Sequence, residues 1–136
     1  MAKLTPYIFS ENARAQAEFY TQALGGEILS ILTYGELPEA DESLKDKVLH
    51  LCVVAGGVQL FMSDAVSEPT APGGGLLLSM EFATEAEAQD AFGKLAEGGF
   101  VKEPLKPAFW GAMFGQVQDK FGMTWMITDD PQACRN

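Results

Sequence analysis

The chain has 136 residues, of which 47% are hydrophobic and 21% are charged. These values are typical of one globular domain with an ordinary core and exclude a disordered or fibrous protein. Nineteen acidic residues against nine basic ones give a net charge of −10, which argues against nucleic-acid binding because the chain repels phosphate. No apolar run approaches the roughly 20 residues of a membrane span, and no signal peptide is recognisable. We therefore expect a cytoplasmic protein that contacts no membrane.

The first half of the chain predicts a strand, a helix and three further strands. The first strand is expected at residues 4–9, where Pro6 favours a sheet edge. Asn12 can cap a helix whose apolar residues keep helical spacing until Gly25-Gly26. Further strands are predicted at residues 27–33, 48–55 and 58–63. The acidic residues 36–46 indicate a surface loop that could act as a lid.

The second half predicts the same order of elements. Thr84 and Glu87 form a capping box at the start of its helix, which runs to Gly98-Gly99. Strands are expected at residues 76–82, 100–105, 113–118 and 123–128. The predicted limits within one domain are 1–68 for module one, 69–75 for a Pro/Gly-rich linker, 76–130 for module two and 131–136 for a polar tail.

Comparison of the chain with itself indicates a duplication. An offset of 73 pairs Phe9 with Phe82, Phe19 with Phe92, and Gly25-Gly26 with Gly98-Gly99. An offset of 65 pairs Gly57 with Gly122, Ser63 with Thr128, and Asp64 with Asp129. Two such supersecondary units each need a partner to cover an apolar sheet face. The sequence therefore predicts an α+β fold of two similar modules.

Several segments resemble one family across nearly the whole chain. The most specific is DKFGMTW at residues 119–125, and supporting segments include PYIF at 6–9, EFY at 18–20, LGG at 24–26, His50, MSD at 62–64 and FW at 109–110. Together they resemble the PhnB/YjdN branch of the vicinal oxygen chelate superfamily, which includes glyoxalases, bleomycin-resistance proteins and extradiol dioxygenases. The resemblance implies two tandem βαβββ modules that form a half-barrel cleft, usually in a homodimer.

Metal-dependent members of this superfamily hold an ion with four His or Glu ligands, one on the first and one on the last strand of each module. The resemblance places these positions at Thr5, at Leu60 or Phe61, at Leu78 or Ser79, and at Met126. None of them is His, Glu or Cys, whereas divalent metals of this type need oxygen or imidazole donors. The chain also has a single histidine. We therefore expect neither a metal ion nor another cofactor.

Aromatic side chains are numerous enough to line a cleft for a flat or apolar ligand. The predicted pocket residues are Tyr7, His50, Phe61, Phe109, Trp110, Phe114 and Trp125. Core packing is an alternative for Trp125, and a dimer contact is an alternative for Trp110. His50 is the candidate catalytic residue, because imidazole can exchange protons near neutral pH. A purely structural hydrogen bond is the alternative for His50.

Two further pairs of residues allow more than one interpretation. Asp64 and Asp129 end the last strands of the modules, where carboxylates commonly accept backbone hydrogen bonds; a converging acid/base pair is the alternative. Cys52 and Cys134 have no CxxC spacing, so we expect free thiols.

These features favour a metal-free homodimer whose cleft binds a small hydrophobic or aromatic molecule. The alternative is an enzyme of the same superfamily, lyase-like or dioxygenase-like, that uses His50 or an unrecognised metal site. A scaffold that acts through a protein partner is a third hypothesis. Phosphonate metabolism and methyl transfer, which are associated with relatives, gain little support because the sequence has no strongly cationic site and no methyl-donor glycine motif.

Overall fold

The computed structural model describes residues 2–66, 75–108 and 111–129. Contacts divide the chain into two compact units, Met1–Thr70 and Ala71–Asn136, which contain the predicted modules one and two. Each unit has one long helix and a four-stranded mixed sheet, so the predicted α+β fold of tandem βαβββ modules is confirmed. No helix within the described ranges is long and apolar enough to cross a membrane. The cytoplasmic location stays a prediction.

The described part of module one contains one α-helix and four strands that follow the predicted order. The elements are β1 (Tyr7–Ser10), α1 (Ala13–Leu24), β2 (Gly26–Thr33), β3 (Val48–Ala55) and β4 (Val58–Asp64). The strands lie in the order β1-β4-β3-β2, with β1 parallel to β4 and the other neighbours antiparallel. β1 begins three residues later than predicted, after Pro6. Proline has no backbone N–H to donate to a ladder, which is consistent with this later start.

Helix α1 forms where the sequence predicts it and covers one face of this sheet. The side chain of Asn12 accepts a hydrogen bond from the Ala15 N–H at 3.1 Å, as a helix cap requires. Gly25 caps the C-terminal end of the helix, and its φ of 80° lies in a region that glycine adopts without steric cost. Buried Gln16 donates a hydrogen bond to the hydroxyl oxygen of Tyr20 at 2.7 Å. These two polar side chains therefore satisfy each other within the core.

The acidic segment between β2 and β3 is a surface loop with two short 3₁₀ helices, Tyr34–Glu36 and Glu42–Leu44. Its base is closed by backbone hydrogen bonds from Tyr34 N–H to the Lys47 carbonyl and from Gly35 N–H to the Lys45 carbonyl, both 3.0 Å. The predicted surface loop is therefore confirmed, and its role as a lid stays a prediction.

Module two repeats the architecture of module one. Its elements are β5 (Leu78–Glu81), α2 (Glu85–Ala96), β6 (Phe100–Pro107), β7 (Met113–Gln118) and β8 (Thr124–Thr128), and its strands lie in the order β5-β8-β7-β6. The Thr84 hydroxyl accepts a hydrogen bond from the Glu87 N–H at 3.1 Å, which confirms the predicted cap of α2. The predicted tail and all of the predicted linker except Gly75 lie outside the described residues.

Equivalent carboxylates stabilise the two modules. Asp64 accepts a hydrogen bond from Val48 N–H at 2.7 Å, and Asp129 accepts one from Met113 N–H at 2.7 Å. Both pairs are related by the offset of 65 that the sequence indicates. Asp64 also accepts from the Ala13 N–H at 2.7 Å, at the first residue of α1. The predicted role of both residues as acceptors of backbone hydrogen bonds is confirmed.

Candidate ligand-binding face

The sheet of module one presents several rings on the face opposite α1. Side chains alternate between the two faces of a strand, and paired residues of neighbouring strands share a face. Phe61 of β4 pairs with Tyr7 of β1 and with Cys52 of β3, and His50 lies two residues before Cys52. Tyr7, Phe9, His50 and Phe61 therefore lie on one face, and we call these four residues the aromatic strip.

The rings of the aromatic strip contact one another in a continuous series. The ring centroids of His50 and Phe61 are 4.9 Å apart, and that of Tyr7 lies 6.1 Å from Phe61 and 5.2 Å from Phe9. These separations lie in the range of favourable aromatic contacts. Phe9 is 63% exposed and Tyr7 is 44% exposed. His50 and Phe61 are half-buried. A continuous exposed aromatic surface of this kind is typical of a binding site.

The polar centre of the strip is the Tyr7–His50 pair. The phenolic oxygen of Tyr7 lies 3.3 Å from Nδ1 of His50, within hydrogen-bonding distance, and the rings are 5.7 Å apart. Within the described ranges, no Asp, Glu, Lys or Arg side chain forms a hydrogen bond or ion pair with either residue. The pair can exchange a proton or form hydrogen bonds with a ligand without a neighbouring charge.

A second polar group lies beside the strip on the same strands. Gln59 donates a hydrogen bond from its Nε2 to Cys52 Sγ at 3.0 Å, and Lys3 donates from Nζ to Gln59 Oε1 at 2.9 Å. Cys52 is 7% exposed and free, as predicted. Cys134 lies outside the described residues. Gln59 thus forms hydrogen bonds with both a buried thiol and Lys3, and no local sequence pattern predicts this arrangement.

The remaining predicted pocket residues have different locations. Phe114 is half-buried on β7 and lies on the opposite face of this strand from the core residues Met113 and Val117. Trp125 is 1% exposed and lies in the core of module two, so it does not line an open sheet face. Its Nε1 donates to Asp119 Oδ2 at 2.8 Å. Phe109 and Trp110 lie outside the described residues.

Sequence reasoning placed three members of the aromatic strip, Tyr7, His50 and Phe61, in a pocket but omitted Phe9. A signal for Phe9 was available in the sequence. It lies two residues after Tyr7 in the same strand, and residues at this spacing share a sheet face.

The alternation of side chains puts the alternative residues at two of the family's metal-ligand positions on opposite faces of their strands. On β4, Leu60 is buried and lies on the opposite face from Phe61, which belongs to the aromatic strip. On β5, Ser79 pairs with Met126 of β8, whereas Leu78 pairs with the core residue Trp125. Phenylalanine and methionine side chains have neither oxygen nor imidazole donors, so they do not fit a divalent ion of the usual type. No group of three or more His, Cys, Asp or Glu side chains suited to a metal occurs among the described residues.

Comparisons with known proteins agree with this architecture. The model of the Glyoxalase/Bleomycin resistance protein/Dioxygenase superfamily matches residues 4–127. Protein YjdN from Escherichia coli (strain K12) is 29% identical over an alignment of 136 positions, which covers 91% of this chain and 92% of YjdN.

Two solved structures are similar over nearly their whole length. The structure of protein PA1353 from Pseudomonas aeruginosa has 37% sequence identity and a TM-score of 0.83, and the match covers 96% of this chain and 98% of PA1353. That of a PhnB protein from Bacillus cereus has 27% identity and a TM-score of 0.79, with 95% and 100% of the two chains covered. The chain therefore belongs to the glyoxalase/bleomycin resistance protein/dioxygenase superfamily, in its PhnB/YjdN-like branch.

Proposed function

We propose that this protein binds a small hydrophobic or aromatic molecule on the aromatic strip. The observation that carries the proposal is the continuous series of rings on the open sheet face of module one, with Tyr7 44% and Phe9 63% exposed. Exposing large rings to water is unfavourable, and stacking a flat apolar ligand on them would remove apolar area from water. Phe61 supports the proposal because its ring contacts both Tyr7 and His50, at the centre of the strip.

The proposed binding needs no metal ion. Met126 at one family ligand position, and Leu60 or Phe61 at another, favour apolar contact over chelation. Elemental analysis combined with native mass spectrometry of the purified full chain tests this part. We expect no stoichiometric divalent metal. A metal content near one ion per chain, retained after dialysis, would contradict the metal-free proposal.

We also propose that the protein acts as a homodimer. β2 and β6 are edge strands of their sheets, and each exposes apolar side chains. On β2, Leu29 is 53% and Leu32 is 39% exposed. On β6, Phe100 is 53% exposed. Edge strands with exposed apolar residues are usually covered in the assembled protein. Light scattering on the purified chain tests the proposal, and a monomer at micromolar concentration would contradict it.

The binding proposal is tested with 2-methoxynaphthalene, a neutral flat probe that has no hydrogen-bond donor. We expect Phe61→Ala to weaken binding about fivefold, since it removes an aromatic contact of about 1 kcal/mol. The matched control is Val58→Ala, because Val58 is a 40% exposed apolar residue of the same strand on the other face. Equal affinities for wild type and Phe61→Ala, or no binding at all, would overturn the proposal.

An enzyme that uses His50 is the second candidate, and the Tyr7–His50 hydrogen bond favours it. A phenol beside an imidazole can relay a proton to or from a bound substrate. His50→Ala separates the two candidates. It should lower the rate of a His50-dependent reaction by about two to four orders of magnitude. For a binding protein it should weaken binding of 2-methoxynaphthalene only about fivefold, as Phe61→Ala does, because each variant removes one ring of the strip.

A further inference from the structure

Lys3 brings a positive charge to the sheet face that carries the aromatic strip. Its Nζ donates a hydrogen bond to Gln59 Oε1 at 2.9 Å, and Gln59 Nε2 donates to Cys52 Sγ at 3.0 Å. Cys52 is the cross-strand partner of Phe61, so the side chain of Gln59 lies on the same face as the ring of Phe61. The contact with Gln59 therefore holds the ammonium group of Lys3 at this face, beside the strip.

The distance between this charge and the strip suits a small ligand. Two hydrogen bonds and one amide group join Lys3 Nζ to Cys52 Sγ, so these two atoms are at most about 8 Å apart. The Cβ atoms of a cross-strand pair such as Cys52 and Phe61 are about 5 Å apart. A naphthalene ring with a carboxylate on a chain of up to two methylene groups spans about 6 to 9 Å. Lys3 is also exposed, so its flexible side chain can turn towards such a ligand.

The ammonium group of Lys3 is available for an anionic ligand. Among the residues that the structure describes, Lys3 forms no ion pair, whereas Lys45 pairs with Glu42 and Lys94 pairs with Asp90. The carbonyl of Gln59 is a neutral acceptor, so it leaves the charge of Lys3 uncompensated and two of its three N–H donors unused. An uncompensated cation beside exposed rings is complementary to a ligand that carries both a ring and an anionic group.

We propose that the aromatic strip takes flat aromatic acids, with the ring on Tyr7 and Phe61 and the carboxylate on Lys3. This inference rests on the proposed binding to the aromatic strip. Stacking removes the ring of the ligand from water, and the carboxylate accepts a charge-assisted hydrogen bond from Lys3 Nζ. Exposed charge pairs are weak in water, so we expect the carboxylate to raise the affinity about fourfold.

The net charge of the chain acts in the opposite direction. At −10 it repels anions and attracts cations, so a cationic aromatic ligand is the competing possibility. Salt at about 0.1 M screens exposed charges that are more than about 10 Å apart. At this ionic strength a carboxylate in contact with Lys3 interacts mainly with that lysine, and the sign of the local charge decides the preference.

Calorimetric titration of the full chain at about pH 8 and 0.1 M salt tests the inference, since carboxylates are then ionised and a typical lysine is protonated. The probes are 2-naphthoate, 2-naphthylacetate and 3-(2-naphthyl)propionate, which cover three chain lengths. Each acid is compared with its primary amide, which has the same shape but no charge. We expect at least one acid to bind about fourfold more tightly than its amide. About 1 M salt should reduce this preference, and the cation 2-naphthylmethylammonium should bind more weakly than the preferred acid.

Two lysine variants assign the preference to one side chain. Lys3→Met removes the charge but keeps an apolar stem, and it should abolish the preference for the acid. Lys94→Met changes the net charge by the same amount on α2 of module two and should leave the preference unchanged. Thermal unfolding of each variant checks that it is folded.

The outcomes separate the inference from the proposed function. If no acid binds more tightly than its amide while Phe61→Ala weakens binding of both, the selection of acids is overturned and the proposed function stands. A preference that persists in Lys3→Met, or tighter binding of the cation than of every acid, would also overturn the inference. If no probe binds, or if Phe61→Ala has no effect on any probe, the proposed function fails and the inference fails with it.

Discussion

Asp119 and Trp125 are joined by a 2.8 Å hydrogen bond from the indole Nε1 to the carboxylate. Asp119 is only 2% exposed, and its other oxygen accepts from the N–H groups of Phe121 at 2.9 Å and Met123 at 3.1 Å. One carboxylate thus fixes both the turn between β7 and β8 and the orientation of the indole. The contact gives the indole N–H of Trp125 a partner, so this residue is buried in the core without an unsatisfied polar group.

Asp119→Ala should lower the free energy of unfolding by about 3 kcal/mol, because buried N–H donors lose a charged acceptor. Chemical denaturation measures the change. Asp90→Ala is the control, since the Asp90–Lys94 ion pair lies on the exposed surface of α2 and should contribute at most about 0.5 kcal/mol. Similar losses in the two variants would contradict the role of Asp119.

The equivalent residues Asp64 and Asp129 should differ in their contribution to stability. Asp64 accepts from the N–H groups of both Ala13 and Val48, whereas Asp129 accepts from that of Met113. We expect Asp64→Ala to cost about 3 kcal/mol and Asp129→Ala about 1 kcal/mol, because only the former also loses an acceptor at a helix start. Denaturation of both variants under one set of conditions measures the difference. A larger loss for Asp129→Ala would contradict this assignment.

Two glycines of module two should respond to alanine in opposite directions. Gly93 lies within α2, and an added Cβ would have no neighbour within 4 Å. Gly93→Ala should stabilise the protein by about 0.5–1 kcal/mol, because alanine is the better helix former. A Cβ at Gly99 would overlap the carbonyl oxygen of Gln118. Gly99→Ala should therefore cost at least about 2 kcal/mol. Thermal unfolding measures both changes, and a stable Gly99→Ala protein would contradict the close approach.

Asp41 in the acidic loop is expected to have a lowered pKa. The backbone N–H and then the hydroxyl of Ser43 donate to its carboxylate, at 3.0 and 2.9 Å, and hold the pKa of Asp41 below its ordinary value of 3.8. These hydrogen bonds favour the ionised form. The two hydrogen bonds therefore stabilise the folded protein at pH values above the ordinary pKa. This stabilisation is lost as the pH falls through the lowered pKa of Asp41.

Ser43→Ala removes only the hydroxyl donor, so the pKa of Asp41 should move part of the way back towards its ordinary value. NMR titration of the Asp41 carboxyl carbon measures this shift. A pKa that is the same in wild type and Ser43→Ala would show that the hydroxyl of Ser43 does not stabilise the carboxylate.

The sequence predicted the order of elements because its local signals agree with the contacts in each module. Asn12 and Thr84 cap the helices as predicted, and the paired glycines follow them. The function of the second glycine in each pair was not predictable. A Cβ at Gly26 would overlap the carbonyl oxygen of Val54, and one at Gly99 would overlap that of Gln118. Both approaches depend on strands that are distant in sequence.

The candidate site was predicted only in part, because aromatic residues at strand spacing have the same pattern whether they face a ligand or the core. Trp125 donates a hydrogen bond to Asp119, which lies six residues earlier, and no sequence pattern predicts this contact. The hydrogen bond between Tyr7 and His50 joins residues 43 positions apart and depends on the placement of β4 between β1 and β3. Strand order of this kind comes from tertiary packing.

Binding of a flat apolar molecule on the aromatic strip is tested by intermolecular nuclear Overhauser effects, which report contacts between probe protons and individual side chains. With 2-methoxynaphthalene added to the full chain, we predict contacts from the probe protons to the ring protons of Tyr7, His50 and Phe61. Val58, on the other face of β4, should show no contact. Contacts confined to residues outside the aromatic strip would contradict the account, and so would a saturating probe that gives no contact with Phe61.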